Sequence, residues 1–127
     1  MKKQYSNPED IVFLTVDDTQ FMREFIKRIL KENGFEKVYE AENGLEAIKQ
    51  SGKLKPDVIF LDITMPKLRG IDAIQKILEV SPKSKIIMCS AMSQQNVVVE
   101  AIKKGARDFV TKPIDPDRLL IAINKVL

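Results

Sequence analysis

Five short runs rich in β-branched and apolar residues, separated by segments of helical periodicity, constrain this chain more than any other feature. The runs are residues 11–16, 37–41, 58–61, 85–89 and 108–110. The first, third and fourth are almost continuously apolar, as parallel strands buried on both faces require. After the first run, Phe21, Phe25 and Ile29 recur at a spacing of four residues, as do Met22, Ile26 and Leu30. That spacing marks an amphipathic helix. Further helices are expected over 45–50, 71–80, 94–104 and 117–127.

Local capping signals agree with this register. Asn43-Gly44-Leu45-Glu46 has the spacing of a capping box. Asp115 precedes Pro116, an N-cap oxygen followed by a residue suited to the first helical turn. Asn33-Gly34-Phe35 and Lys104-Gly105-Ala106 supply glycine where helices end in a left-handed residue. Five β/α units in 127 residues predict right-handed crossovers and a parallel sheet with helices on both faces. The expectation is one doubly wound α/β domain over 11–127, preceded by a polar lead over 1–10, with no appended output domain.

Composition closes off several chemistries. The chain has no histidine, which excludes imidazole catalysis, His-ligated zinc and a phosphohistidine of its own. Its single cysteine, Cys89, rules out an internal disulfide or a Cys-x-x-Cys site. Cys89 lies in the apolar run Ile86-Ile87-Met88-Cys89 and reads as a buried, inert thiol. Hydrophobic residues at 44% and charged residues at 31% describe a soluble globule. No apolar run approaches the roughly 20 residues of a membrane span. The opening Met1-Lys2-Lys3-Gln4-Tyr5 carries no apolar signal segment, so a cytoplasmic location without membrane association is expected. The net charge of +3 comes from cations scattered along the chain without interleaved aromatics. That pattern reads as a solvated basic surface and not as a nucleic-acid groove.

Ligands of an open parallel sheet bind beyond the carboxyl ends of its strands. The residues expected there are Asp17-Asp18, Asp62, Ser90-Ala91 and Thr111-Lys112-Pro113. Each has an ordinary alternative: Asp17 or Asp18 could cap the first helix, Asp62 could bond a loop, and Lys112 could be a surface lysine. Their joint occurrence on one edge points to a site. Two carboxylates about 5 Å apart repel by roughly 3 kcal/mol at an effective dielectric near 20. Three ionised together therefore need a cation, or one takes up a proton. Mg²⁺ suits an all-oxygen set, whereas the lack of thiol and imidazole ligands disfavours zinc.

A carboxylate, a lysine and a hydroxyl around such an ion can hold a phosphoryl group while the carboxylate attacks in line. Asp62 is the preferred nucleophile because a central strand would present it in mid-crevice. Neither G-x-x-x-x-G-K-[ST] nor G-x-G-x-x-G occurs, so the phosphoryl donor should arrive on another molecule.

These residues bring out a family resemblance. With the acidic pair in Leu14-Thr15-Val16-Asp17-Asp18, the segment Phe60-Leu61-Asp62-Ile63-Thr64-Met65-Pro66 followed by Gly70, then Ser90-Ala91 and Asp108-Phe109-Val110-Thr111-Lys112-Pro113, the chain resembles the receiver domains of two-component response regulators. Within that family it is most similar to the stand-alone chemotaxis regulators of Gram-positive and thermophilic bacteria. Gly70-Ile71-Asp72-Ala73-Ile74 and the stretch from Lys85 to Met92 with Gln94-Gln95 carry the closer similarity.

The resemblance implies a flavodoxin-like five-stranded sheet of order 2-1-3-4-5 with five helices. It implies that Asp62 is the phosphoacceptor, with Asp18 and Asp62 as direct Mg²⁺ ligands and Asp17 acting mostly through water. The main-chain carbonyl of Thr64 would complete the protein ligands. Ser90 would hydrogen-bond the phosphoryl group, Lys112 would pair with it, and Lys112-Pro113 would be a cis bond. Phe109 falls on an aromatic switch position whose inward turn alters the face of the fourth helix, fifth strand and fifth helix. Thr64 and Met92 fall on positions that tune phosphoryl lifetime.

The implied partners are a histidine kinase, the flagellar motor switch or another target, and a phosphatase. The implied role is a signalling module and not a metabolic enzyme; a phosphorelay intermediate is the alternative. Two departures stand out. Phe109 has no hydroxyl, so an inward state must rest on packing. Lys67 and Arg69 are basic where relatives often carry acids, which predicts a shifted partner preference or stronger attraction of phosphodonors. Outside the family, a flavin carrier would meet repulsion between Asp17-Asp18 and the flavin phosphate. A haloacid-dehalogenase-type phosphatase would need Asp-x-Asp and room for a cap.

Overall fold

The apolar runs are strands β1 (Val12–Val16), β2 (Lys37–Ala41), β3 (Val58–Leu61), β4 (Lys85–Ser90) and β5 (Asp108–Thr111). The helices are α1 (Gln20–Glu32), α2 (Gly44–Leu54), α3 (Gly70–Val80), α4 (Gln95–Lys104) and α5 (Pro116–Val126). The computed structural model describes residues 7–63, 68–91 and 94–127. The strands form one parallel sheet in the order β2-β1-β3-β4-β5. Among the described residues, no helix is long and apolar enough to cross a membrane.

Side chains alternate across each strand, so the sheet carries a core on either face. Leu14, Val16, Ile59, Leu61, Ile86 and Met88 pack with α2, α3 and α4 through Ala47, Ile74, Ile77 and Ala101. Phe13, Phe60, Ile87 and Cys89 face the other way, onto α1 and α5, against Ile26, Leu30, Leu119 and Ile123. Phe13 stacks on Phe60 with ring centres 5.9 Å apart and meets Phe35 edge-on at 4.8 Å. Burying each Leu, Ile or Phe here contributes about 1.5–3 kcal/mol, which is why these strands are apolar on both faces.

Most boundaries fall within a residue or two of expectation, and three differences have physical causes. β1 begins at Val12, where Asp57 Oδ2 accepts the Val12 N–H at 2.8 Å and so ties the strand's first amide to the β3 side. α2 continues past residue 50 to Leu54, because Ser51 is buried and Gly52 comes close to Val80 of α3. It ends at Lys55 in the left-handed conformation (φ 49°), whose ammonium bonds the Val80 carbonyl. α1 is capped by neither aspartate. Thr19 takes that place, its Oγ1 accepting the Met22 N–H at 3.4 Å. Asn43 and Asp115 cap α2 and α5, accepting from Glu46 N–H at 2.9 Å and Arg118 N–H at 3.3 Å. Gly105 ends α4 at φ +123°, a value that side-chain-bearing residues avoid.

Candidate metal and phosphoryl site

Parallel pairing runs one residue past the strand ends and sets the site. Asp17 N–H donates to Ala41 O at 3.1 Å, Asp62 N–H to Val16 O at 3.1 Å, and Lys112 N–H to Ser90 O at 2.9 Å. Asp17, Asp62, Ser90 and Lys112 are therefore held at one edge of the sheet by backbone bonds. The Lys112–Pro113 peptide is cis.

Every hydrogen-bonding arm of Asp17 is engaged. Its Oδ1 accepts from Thr19 N–H and Thr19 Oγ1–H, each at 2.9 Å. Its Oδ2 accepts from Lys112 Nζ at 2.6 Å, and the same ammonium reaches Asp62 Oδ2 at 3.3 Å. The side chains of Asp17 and Asp62 are only 3% and 6% exposed, and that of Lys112 19%. Asp18 stands on the solvent side. One oxygen from each of Asp17, Asp18 and Asp62 lies within 4.8 Å of the others.

Burial works to raise the Asp17 pKa, but the Lys112 and Thr19 hydrogen bonds and the lysine's charge outweigh it and hold the carboxyl below 3.8. Burial likewise works against the Lys112 ammonium. Its bonds and attraction to Asp17 and Asp62 win and raise it above 10.5. Among the described residues, one fixed ammonium thus stands beside a cluster of three carboxylates. The donor set is all oxygen and fits a hard divalent cation.

Gly70 lets the next loop close on this edge. Its N–H donates to Ile63 O at 2.8 Å, and a Cβ there would stand 1.7 Å from the Asp62 carbonyl oxygen. Ser90 is 1% exposed at the end of β4. Phe109 is half-buried against the α2–α4 side of the core. Its main chain is gripped at both groups, the N–H by Asp108 Oδ1 at 2.8 Å and the carbonyl by Arg118 Nη2 at 3.2 Å. Arg69 is paired with Asp72, Nε to Oδ2 at 2.9 Å, within the first turn of α3. Thr64, Lys67 and Met92 lie outside the described residues.

Sequence reasoning passed over Thr19 and Arg23. Arg23 is 8% exposed, with Nη1 on the Asp17 carbonyl at 2.8 Å and Nε on Glu40 Oε1 at 2.9 Å. The available signal was a charged residue on the same helical stripe as Ile26 and Leu30, the stripe that faces the core.

A parallel sheet of this order with an acidic cluster and a lysine at its carboxyl edge is a receiver architecture. The chain belongs to the response regulator receiver domain family, which it matches over residues 13–124. Chemotaxis proteins are among the relatives it matches over most of their length. It is 55% identical over 112 residues to Chemotaxis protein CheY of Listeria monocytogenes, covering 88% of this chain and 94% of that protein. It is 52% identical over 113 residues to Chemotaxis protein CheY of Thermotoga maritima, covering 89% and 94%. The CheX-CheY-BeF3-Mg²⁺ complex of Borrelia burgdorferi superposes with a TM-score of 0.88 at 31% identity, covering 95% of this chain and 98% of that one. This chain is a receiver domain closely related to CheY.

Proposed function

We propose that the chain is a single-domain chemotaxis response regulator that accepts a phosphoryl group on Asp62 from a histidine kinase in a Mg²⁺-dependent reaction. The observation that carries this reading is the meeting of Asp17, Asp18 and Asp62 oxygens within 4.8 Å, with Lys112 bridging two of them. The names of the relatives and the Mg²⁺ in the Borrelia complex support it.

Asp62 follows directly on the central strand β3, and its N–H bond to Val16 O fixes where its carboxylate starts. An oxygen of Asp62 bonds phosphorus as the bond from phosphorus to the donor nitrogen breaks. Asp18 and Asp62 directly, Asp17 through water and the Thr64 carbonyl would hold the ion. When bound, Mg²⁺ supplies neutralisation of the phosphoryl oxygens. Lys112 transfers its hydrogen bonds to the phosphoryl group, and the Ser90 hydroxyl donates to it. Because the backbone of Phe109 is held at both groups, its switching is a side-chain rotation. The altered face of α4, β5 and α5 then meets the flagellar motor switch, and a phosphatase resets the site. Met92 shields the acyl phosphate from water, and Lys67 attracts the phosphodonor.

Intact-mass measurement after adding acetyl phosphate and Mg²⁺ tests the chemistry. One phosphoryl group should add to the native chain and none to Asp62→Asn or to native protein in EDTA. Capture of only the phosphorylated form by a motor-switch segment tests the output. No mass gain on the native chain overturns the reading, and passage of the group to a histidine phosphotransfer protein would mark a relay instead.

A further inference from the structure

We infer that Arg23 is a positioning residue for the acidic pair: its guanidinium fixes the peptide plane joining Asp17 to Asp18, and with it the way the two carboxylates face a divalent cation. The inference rests on the Mg²⁺ reading above.

Arginine is almost never buried without partners, and Arg23 has two. Nη1 donates to the Asp17 carbonyl at 2.8 Å and Nε to Glu40 Oε1 at 2.9 Å. Both bonds leave one rigid, planar fork, so anchoring Nε on Glu40 aims Nη1 at the carbonyl. Glu40 is itself placed by β2, opposite Thr15 in the strand register, and its other oxygen lies 3.7 Å from Lys27 Nζ.

The carbonyl that Arg23 holds belongs to the peptide whose nitrogen is that of Asp18, and a peptide unit turns as a plane. The Asp17 N–H is already bound to Ala41 O. β2 thus grips one side of the Asp17 backbone, and α1 grips the other through the guanidinium. Asp17 has further ties through its side chain; Asp18 does not. Among the described residues nothing hydrogen-bonds the Asp18 carboxylate, so its direction follows from its main chain. Without the Arg23 contact the carbonyl side of that plane loses its anchor, leaving only the Asp17 N–H bond and the Asp17–Thr19 turn to hold it, and the Asp18 oxygen is less firmly kept beside its two neighbours.

Calorimetric Mg²⁺ titration of the native chain, Arg23→Met and Arg23→Lys decides the matter, with thermal unfolding in EDTA run alongside. Affinity should fall by about tenfold or more in Arg23→Met, the usual scale for removing a group that orients a metal ligand. Arg23→Lys keeps the charge without the fork and should fall between the two. With acetyl phosphate, the Mg²⁺ concentration giving half-maximal phosphorylation should rise by the same factor, while the rate at saturating Mg²⁺ stays within about twofold. A residue serving only the fold would lower the unfolding temperature in EDTA and leave the Mg²⁺ midpoint in place. Native-like affinity in either folded variant overturns the inference and leaves the metal reading standing. Failure of the native chain to bind Mg²⁺ overturns both.

Discussion

Lys112 and Asp17, 95 residues apart in the chain, meet at 2.6 Å. The contact places an ammonium between two buried carboxylates, since Asp62 lies 3.3 Å from the same nitrogen. It offsets part of the repulsion that assembling three acids creates. The acidic cluster thus has a charge balance that a bound divalent cation would relieve.

Removing one acid should stabilise the metal-free protein. Asp18→Asn is expected to raise stability by about 1 kcal/mol at low salt, a rise in Tm of a few degrees for a domain of this size. The same change should abolish stabilisation by Mg²⁺, which at 100 times its dissociation constant adds about 2.7 kcal/mol to a protein that binds it. Thermal melts with and without the ion check both signs.

Gly70 should tolerate no side chain. A Cβ 1.7 Å from the Asp62 carbonyl oxygen forces the end of β3 or the start of α3 to move. Gly70→Ala should cost roughly 2–3 kcal/mol in denaturant unfolding. Displacing the Asp62 backbone should also slow phosphorylation by acetyl phosphate by roughly 100-fold.

Two hydroxyls are buried without a hydrogen-bond partner among the described residues, those of Thr15 and Ser51. Thr15→Val keeps the shape, removes the unmet group and should raise stability by about 1 kcal/mol. Ser51→Ala should gain less, because it leaves a small void. The urea midpoint should move while its slope stays constant.

Burial pushes the Cys89 thiol up from 9.0 to about 12. Below the lower value the thiol is protonated in both folded and unfolded chains and contributes no slope. Above it the unfolded chain loses its proton and the folded chain does not, so stability falls as pH rises from 9.0 toward about 12. Cys89→Ala should lose that part of the alkaline slope in unfolding curves measured across this range. A thiol reagent at pH 8 should label the native protein only as fast as it unfolds.

Much of the fold is legible in the residues because local physics writes it there. Continuous apolar runs mark strands covered on both faces, and spacing of four marks helices. Asp17, Asp62 and Lys112 could be placed at strand ends because β/α alternation puts those ends on one edge. Other features lay out of reach. Thr19 was hidden as a cap behind two better-known capping residues, and the extension of α2 to Leu54 depends on its packing against α3. The strand order came from family resemblance, since one parallel strand offers the same hydrogen bonds as another.

By itself the sequence determined which residues end each strand, that they are three acids, a hydroxyl and a lysine, and that no imidazole is present to compete. Only the tertiary structure decided that Lys112 contacts both Asp17 and Asp62, 95 and 50 residues away in the chain. The reason is range: capping and periodicity act over a turn or two of chain. Distances between residues dozens of positions apart exist only once the strands pair and the helices close on both faces.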